Sequence, residues 1–194
     1  MIHTTVYSRW ADGEKISLLS RNEQEINIFM MVTSNEDMSI HKLYEIVTKY
    51  LIDNFQTLYD LPEYTIAPKL ARKIQQEEQE ISRLPFATIA VKNERYIFIN
   101  MGAAMIAVDT DIQTYPVFSD EKIIFSCKGT LKQNQKISMI SSDMAEFLYD
   151  RQKFEIKSEY NNFLKTNSCR ILKKNTDNVS DTILVIEYIE DNQN

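Results

Sequence analysis

The sequence has few of the residues on which common catalytic motifs depend. Among 194 residues there are three glycines, two histidines (His3 and His41) and two cysteines (Cys127 and Cys169). Three scattered glycines cannot form a glycine-rich phosphate-binding loop, and no His/Cys cluster has zinc spacing. A Ser-His-Asp triad would have to use one of the two histidines, and neither has a recognisable nucleophile nearby. Enzymes that work by these common routes are therefore disfavoured.

Long basic stretches and long hydrophobic runs are also missing. The formal net charge is −6, so we expect no nucleic-acid partner. No apolar run approaches the roughly 18 residues that span a bilayer, and the N-terminus lacks a secretory signal pattern. Two isolated cysteines without an export signal are expected to be reduced thiols. We therefore expect a cytoplasmic protein without a membrane partner.

The chain has enough hydrophobic and aromatic residues to form a folded domain. Hydrophobic residues make up 43% of the chain and aromatic residues 10%, enough for a substantial core. The length suits a single domain that covers residues 1–194. Abundant isoleucine, lysine and asparagine indicate an AT-rich bacterial source.

Hydrophobic periodicity predicts an α+β domain. Three strands are expected first, with a hairpin signal at Asp12-Gly13 between the first two and a polar turn over residues 20–25. Two helices follow, an amphipathic one of about four or five turns within "SNEDMSIHKLYEIVTKYLIDNFQTL" and a second from about Thr65 to Leu84. Six β-like runs then predict an antiparallel meander, with Gly102 as a hairpin residue of positive φ. "MAEFLYDR" and part of the following segment look helical, and "DTILVIEYIE" is the last strand.

Four segments, in order, resemble motifs of the metal-dependent serine/threonine protein phosphatases of the type-2C (PPM) family. They are "FMMVTSNEDMSIHKLYEIVTKYL", "ATIAVKNERYIFINMGAAMIAV", "KISMISSDMAEFL" and "VSDTILVIEYI". Together they extend over about residues 26–190. The resemblance implies a four-layer α/β/β/α sandwich with two antiparallel sheets. It also implies a centre of two Mg²⁺ or Mn²⁺ ions that activates a water for attack on phosphate.

The resemblance places two family aspartates on acids of this chain and three motif positions on other residues. The aspartate of the S-D-G motif falls on Asp143, and that of the final D-N motif on Asp181. The aspartate that bridges the two metals falls on Ser34 and its neighbouring glycine on Asn35. The aspartate of the G-D-S-R motif falls on Ala103.

These departures weaken the implied metal centre. Two dications about 3.5–4 Å apart repel strongly, so carboxylates must bridge and neutralise them. A serine hydroxyl carries no charge and cannot do so. Glu36 and Asp37 lie just downstream of Ser34 and are candidate substitute ligands. Arg9 is the counterpart of the arginine that holds the substrate phosphate.

The resemblance and its departures together predict a catalytically inactive or severely impaired phosphatase-like protein. Its function would be regulatory binding of a phosphoprotein, a kinase or another regulator. No cofactor is firmly expected, beyond one weakly bound Mg²⁺ or Mn²⁺ at Asp143 and Asp181.

Two alternatives remain open at this point. The chain could be a divergent active phosphatase that uses Asp143, Asp181 and either Glu36 or Asp37. It could also be an unrelated α+β structural or assembly subunit. Independently of these alternatives, a helix N-cap role would explain Asp143 without a metal, with Glu146 three residues later as in a capping box.

Overall fold

A computed structural model of the chain describes residues 2–9, 16–33, 37–102, 104–109, 124–133, 135–141, 149–150, 155–156 and 181–188. The elements in chain order are β1 (Ile2–Arg9), β2 (Ile16–Glu23), β3 (Ile26–Thr33), α1 (Asp37–Asp60), α2 (Glu63–Glu77), a 3₁₀ turn (Ile81–Arg83), β4 (Phe86–Lys92), β5 (Arg95–Met101), β6 (Ala104–Asp109), β7 (Ile124–Thr130), β8 (Lys136–Ser141), β9 (Tyr149–Asp150), β10 (Glu155–Ile156) and β11 (Asp181–Tyr188).

The described strands form two main antiparallel sheets and one small pair. Sheet I has five strands in the order β2-β3-β4-β5-β7, and sheet II has four in the order β1-β11-β8-β6. The two-residue strands β9 and β10 pair with each other. Every strand pair within the sheets is antiparallel, which confirms the predicted sheet type.

One hydrophobic cluster lies between the two helices and sheet I. The helices contribute the side chains that recur at three- and four-residue spacing, and sheet I contributes alternate side chains of its central strands. Leu43, Val47 and Leu51 of α1 and Leu70 of α2 are fully buried in this cluster. The predicted apolar faces of both helices are therefore confirmed.

A second cluster lies between the two sheets. Ile89 and Phe98 of sheet I pack in it with Ile137 and Met139 of β8 in sheet II. Ser138 and Ile140, which alternate with these two residues along β8, are buried as well. The described residues thus form three layers, helices, sheet I and sheet II. The fourth layer that the resemblance implies, helices on sheet II, stays a prediction, because most of the sequence between β8 and β11 lies outside the described ranges.

The first two predicted strands do not form a hairpin. β1 pairs with β11 in sheet II, whereas β2 pairs with β3 in sheet I. The turn between β2 and β3 is narrower than predicted and consists of Gln24 and Glu25, both at positive φ, as a two-residue hairpin turn requires. A hairpin of β1 with β2 is therefore wrong, because β1 pairs with the distant strand β11; Asp12-Gly13 itself lies outside the described residues.

The predicted meander is also interrupted. β5 pairs with β4 and β7, but β6 pairs with β8 in sheet II. Gly102 has a φ of 85°, which confirms the predicted positive value. It lies at the passage between the two sheets and not in a hairpin turn, since β5 and β6 are not hydrogen-bonded to each other.

The helix boundaries differ from those predicted. Helix α1 has 24 residues, about seven turns, and is longer than expected. Helix α2 ends at Glu77, and Ile81 belongs to the short 3₁₀ turn before Pro85. Tyr149 and Asp150, in a segment predicted to be helical, form β9.

Candidate functional site

One end of sheet II brings together the ends of all its strands. β1 and β8 finish where β11 and β6 begin, because neighbouring strands are antiparallel. Arg9, the last residue of β1, is the Cα partner of Asp181, the first residue of β11. Ser141, the last residue of β8, is the partner of Ala104, the first residue of β6.

The corresponding end of sheet I is joined to it through Gly102. β3 finishes at Thr33 and β5 at Met101, beside Phe86 at the start of β4. Gly102 forms a bridge with Phe86, and two residues later the chain is in β6 of sheet II. We call this region, where the two sheets meet, the common end.

Of the positions predicted from sequence, the structure describes the backbone of Arg9, Asp37 and Asp181, which lie at or beside the common end. Arg9 and Asp181 lie directly opposite each other in the β1–β11 register. Asp37 is the first residue of α1, four residues after the end of β3. The remaining positions lie outside the described residues, next in sequence to strand ends at the common end: Ser34, Asn35 and Glu36 follow β3, Ala103 precedes β6, and Asp143 follows β8.

The described residues alone contain no metal centre. No group of three or more His, Cys, Asp and Glu within the described ranges is placed to hold a metal ion. Most of the predicted ligand positions lie outside those ranges. The weakly bound Mg²⁺ or Mn²⁺ therefore stays a prediction.

A serine of sheet I fixes the first turn of α2. The Ser126 hydroxyl donates to the carbonyl oxygen of Glu63 at 2.5 Å and accepts from the N–H of Ala67 at 3.0 Å. These are the two groups that an α-helix would pair with each other. Pro68 follows directly inside the helix, and a proline ring clashes with the carbonyl one turn earlier. The serine thus satisfies backbone groups beside this proline, a role that the strand pattern did not predict.

A lysine of the same strand closes the C-terminal end of α1. Lys128 Nζ donates to the carbonyl oxygens of Tyr59 and Leu61, the latter at 2.6 Å. It also lies 5.3 Å from the centre of the Tyr59 ring, and Arg95 lies 5.1 Å from that ring. Cations at a helix C-terminus satisfy free carbonyl groups and oppose the helix dipole. Lys128 therefore anchors α1 at the end of sheet I away from the common end.

The other end of α1 starts at the common end. Lys42, near the start of α1, forms an ion pair with Glu78 beyond the end of α2 at 3.3 Å, so the two helices run antiparallel. Arg21 of β2 contacts Glu45 of α1 at 3.1 Å. These partly exposed contacts orient the helix, while its buried face holds it on the sheet.

The one cysteine in the described residues, Cys127, has a raised pKa. Burial in the layer between the sheets, together with the negative charge of Glu63, raises the pKa of the Cys127 thiol to about 12. The thiolate is the reactive form of cysteine. Cys127 is therefore almost entirely in the thiol form at neutral pH, and it packs against the cluster between the two sheets. Among the described residues, neither helix is long and apolar enough to span a bilayer.

No protein-family model and no curated protein matches the chain by sequence. Solved structures do match it over nearly its whole length. The phosphatase domain of the cell-fate determinant SpoIIE from Bacillus subtilis has a TM-score of 0.64 at 10% identity, over 98% of this chain and 93% of that one. RsbX in complex with magnesium has a TM-score of 0.59 at 10% identity, over 95% of this chain and 94% of that one.

A serine/threonine phosphatase of S. agalactiae also matches, with a TM-score of 0.51 at 10% identity over 98% of this chain and 100% of that one. At such identities the likeness concerns the fold alone. It removes the alternative of an unrelated α+β fold. The helices on sheet I and the second antiparallel sheet behind it agree with the resemblance found in the sequence. The chain therefore has a type-2C phosphatase-like fold.

Proposed function

We propose that this chain is a catalytically inactive or severely impaired type-2C phosphatase-like protein that regulates a protein partner by binding it. The partner would be a phosphoprotein, a kinase or another regulator. The single observation behind the proposal is the common end. There the fold gathers the strand ends next to which the resemblance assigns the family's metal-binding positions, and it assigns the bridging carboxylate to a serine, Ser34.

The residues assigned to these positions do not fit a pair of metal ions. Asp143 and Asp181 supply two carboxylates, but Ser34 and Ala103 stand where the family has two further acids. Without a bridging carboxylate, the repulsion between two adjacent dications is not offset. We propose that at most one Mg²⁺ or Mn²⁺ binds, weakly and largely hydrated.

Structural neighbours support a regulatory role in a bacterial cell. PppA, a key regulatory component of the T6SS in Pseudomonas aeruginosa, has a TM-score of 0.53 at 8% identity. Another match comes from a study of the bacterial stressosome, with a TM-score of 0.53 at 10% identity. By analogy, we propose a bacterial, cytoplasmic regulator for this chain.

A second candidate function is a divergent active phosphatase. The observation in its favour is the position of Asp37. This residue is the first of α1 and follows the end of β3 at the common end by four residues. A carboxylate there, or at Glu36, would have to replace the bridging acid assigned to Ser34. The two candidates differ in whether the chain turns over a phosphoester.

The deciding experiment is hydrolysis of p-nitrophenyl phosphate and of a phosphoserine peptide in the presence of Mn²⁺. We expect wild-type rates equal to those of Asp143→Ala and Asp181→Ala. Turnover that disappears in Asp143→Ala, and also in Asp37→Ala, would establish the active candidate instead. An exposed helix variant, Lys49→Glu, is the matched control for effects unrelated to the common end.

Binding of a partner is tested separately by pull-down from native extract. We expect a specific protein that is retained by the wild type and by Lys49→Glu but released by Asp143→Arg. A partner retained equally by all three would place the interaction away from the common end and contradict the proposal.

A further inference from the structure

A polar cavity lies between the last turn of α2 and the 3₁₀ turn that follows it. Its volume is about 440 Å³, within the range of roughly 300–1,000 Å³ that is usual for ligand sites. The 3₁₀ turn leads into β4, which begins at the common end, and α2 ends beside the start of α1. The cavity therefore lies on the helix side of the common end. The described residues that line it are Gln75, Gln79, Glu80, Ser82 and Arg83.

The 3₁₀ turn forms one wall of the cavity and is fixed in place. Ile81 is buried in the cluster beneath the helices. The N–H and the hydroxyl of Ser82 both donate to the carbonyl oxygen of Gln79, at 3.4 and 2.7 Å. Residues three apart eclipse each other in a 3₁₀ turn, so Glu80 and Arg83 lie on the same side of it, towards the cavity. A wall fixed in this way loses little conformational freedom when a ligand binds.

Two opposite charges lie on this wall without an ion-pair partner in the described part of the chain. The preceding acid, Glu78, is paired with Lys42 at 3.3 Å. Among the described residues, neither Glu80 nor Arg83 forms an ion pair, with each other or with another side chain. A carboxylate and a guanidinium therefore face the same cavity, each free to bind a group of opposite charge.

This set of side chains favours a ligand that carries both signs of charge. A guanidinium binds a carboxylate through two parallel hydrogen bonds, but a simple anion at Arg83 would also be repelled by Glu80. A simple cation would be repelled by Arg83 in the same way. The amides of Gln75 and Gln79 each have an acceptor oxygen and two N–H donors, which match the N–H and C=O of a peptide group.

We propose that the cavity binds a short extended segment of the protein partner that carries one acidic and one basic side chain. Arg83 binds the acidic side chain, Glu80 binds the basic one, and the amides of Gln75 and Gln79 bond the peptide backbone between them. The inference rests on the proposed function, because it states which part of a partner is held beside the common end. It requires no phosphate on that segment.

Capped pentapeptides are suitable probes, since alternate side chains of an extended peptide lie on one face. The peptides AEAKA and AKAEA carry one charge of each sign, in the two possible orders. AEAEA and AKAKA carry two charges of one sign. NMR titration of the full chain would follow the side-chain amide signals of Gln75 and Gln79. We expect the better of the two mixed peptides to shift both signals and to bind about fivefold more tightly than AEAEA or AKAKA.

Exchange of the two charges, Glu80→Arg with Arg83→Glu, tests the assigned roles directly. Whichever of AEAKA and AKAEA the wild type binds more tightly, the exchanged chain should bind the other more tightly. Arg72→Glu is the matched control, because Arg72 is an exposed arginine of α2 that does not line the cavity. It should keep the order preference and the affinity of the wild type.

Four outcomes would overturn the inference. The signals of Gln75 and Gln79 could remain unshifted by both mixed peptides, or AEAEA could bind as tightly as they do, which would indicate a simple anion site. The exchanged chain could keep the order preference of the wild type. Amide shifts that grow with protein concentration in the absence of peptide would assign the cavity to a second copy of the chain.

The phosphatase assay decides the proposed function separately. Mn²⁺-dependent turnover contradicts that function but does not change the expected binding of AEAKA or AKAEA. An inactive chain that binds neither mixed peptide would contradict the inference about the cavity alone.

Discussion

Gly129 lies directly opposite Tyr96 in the β5–β7 pair, and the tyrosine ring covers the place of a glycine Cβ. A methyl group built there would be 2.7 Å from Tyr96 Oη and 2.9 Å from Cε1 and Cζ. Tyr96 is buried in the cluster between the two sheets, so its ring cannot move aside without opening a gap. The absence of a side chain at position 129 therefore allows the Tyr96 ring to pack against the backbone of β7.

Replacement of Gly129 by alanine should destabilise the fold by about 1–3 kcal/mol, the usual cost of overpacking a core. Urea unfolding measures this change. Tyr96→Val removes the ring atoms in question, so Gly129→Ala should cost less in the Tyr96→Val background. An equal cost in both backgrounds would mean that the ring is not the obstacle.

Ser126→Ala should destabilise the protein by about 1–3 kcal/mol, because it leaves the Glu63 carbonyl and the Ala67 N–H without their buried partner. Thermal unfolding or urea unfolding measures the loss. Ser82→Ala is the matched control: its hydroxyl also donates to a backbone carbonyl, that of Gln79 at 2.7 Å, but at an exposed position. A loss in Ser126→Ala no larger than the loss in Ser82→Ala would contradict the bridging role.

The elements of this fold could be predicted from sequence where their signal is local. The apolar stripe of α1, with Ile40, Leu43 and Val47, is visible as three- and four-residue spacing, and these side chains are buried. Strand pairing depends on distant partners that carry no local mark. Nothing in "IHTTVYSR" indicates that β1 joins β11 across most of the chain, and so the Asp12-Gly13 hairpin signal was misleading.

The candidate site depended on resemblance more than on periodicity. The order of four weak motifs predicts Asp143 and Asp181 as ligands, whereas only the strand register shows that Asp181 lies opposite Arg9. The sequence does not predict that Ser126 bonds the Glu63 carbonyl and the Ala67 N–H of α2. A serine in an alternating strand pattern looks like any other polar position. The sequence predicts the positive φ of Gly102 correctly but not its place in the fold. A positive φ fits a hairpin turn and also a link between strands of two different sheets, and Gly102 lies in such a link.

Cys127 should react slowly with a disulfide reagent at pH 8 in the folded state. A pKa of about 12, against 9.0 for an ordinary thiol, lowers the thiolate fraction about a thousandfold. In a Cys169→Ser background, which leaves one thiol, the native protein should react at least a hundredfold more slowly than the urea-unfolded protein. Equal rates would show that Cys127 is accessible and ionised more easily than its burial implies.

The same thiol should make the fold sensitive to alkali. Because the folded pKa of Cys127 lies above the unfolded value, its contribution to stability is fully present below pH 9 and is lost as the pH rises toward 12. Burial also raises the pKa of Tyr44 and of Tyr50, so comparison with Cys127→Ala isolates the thiol. The free energy of unfolding should fall less steeply above pH 9 in Cys127→Ala than in the wild type.

Restoration of the missing acids is the most direct test of the assigned metal positions. Ser34→Asp, Asn35→Gly and Ala103→Asp together should raise Mn²⁺ affinity at least about tenfold, because carboxylates then offset the charge of the ion. Isothermal titration measures the change.

The gain should require the aspartates that the resemblance assigns as ligands. It should disappear when Asp181→Asn or Asp143→Asn is added to the restored chain. Thr57→Asp with Gln76→Asp adds the same charge at exposed helix positions and should leave Mn²⁺ affinity near that of the wild type. If this control gained as much as the restored chain, the effect would come from net charge. The assignment of Ser34 and Ala103 to the metal positions would then be wrong.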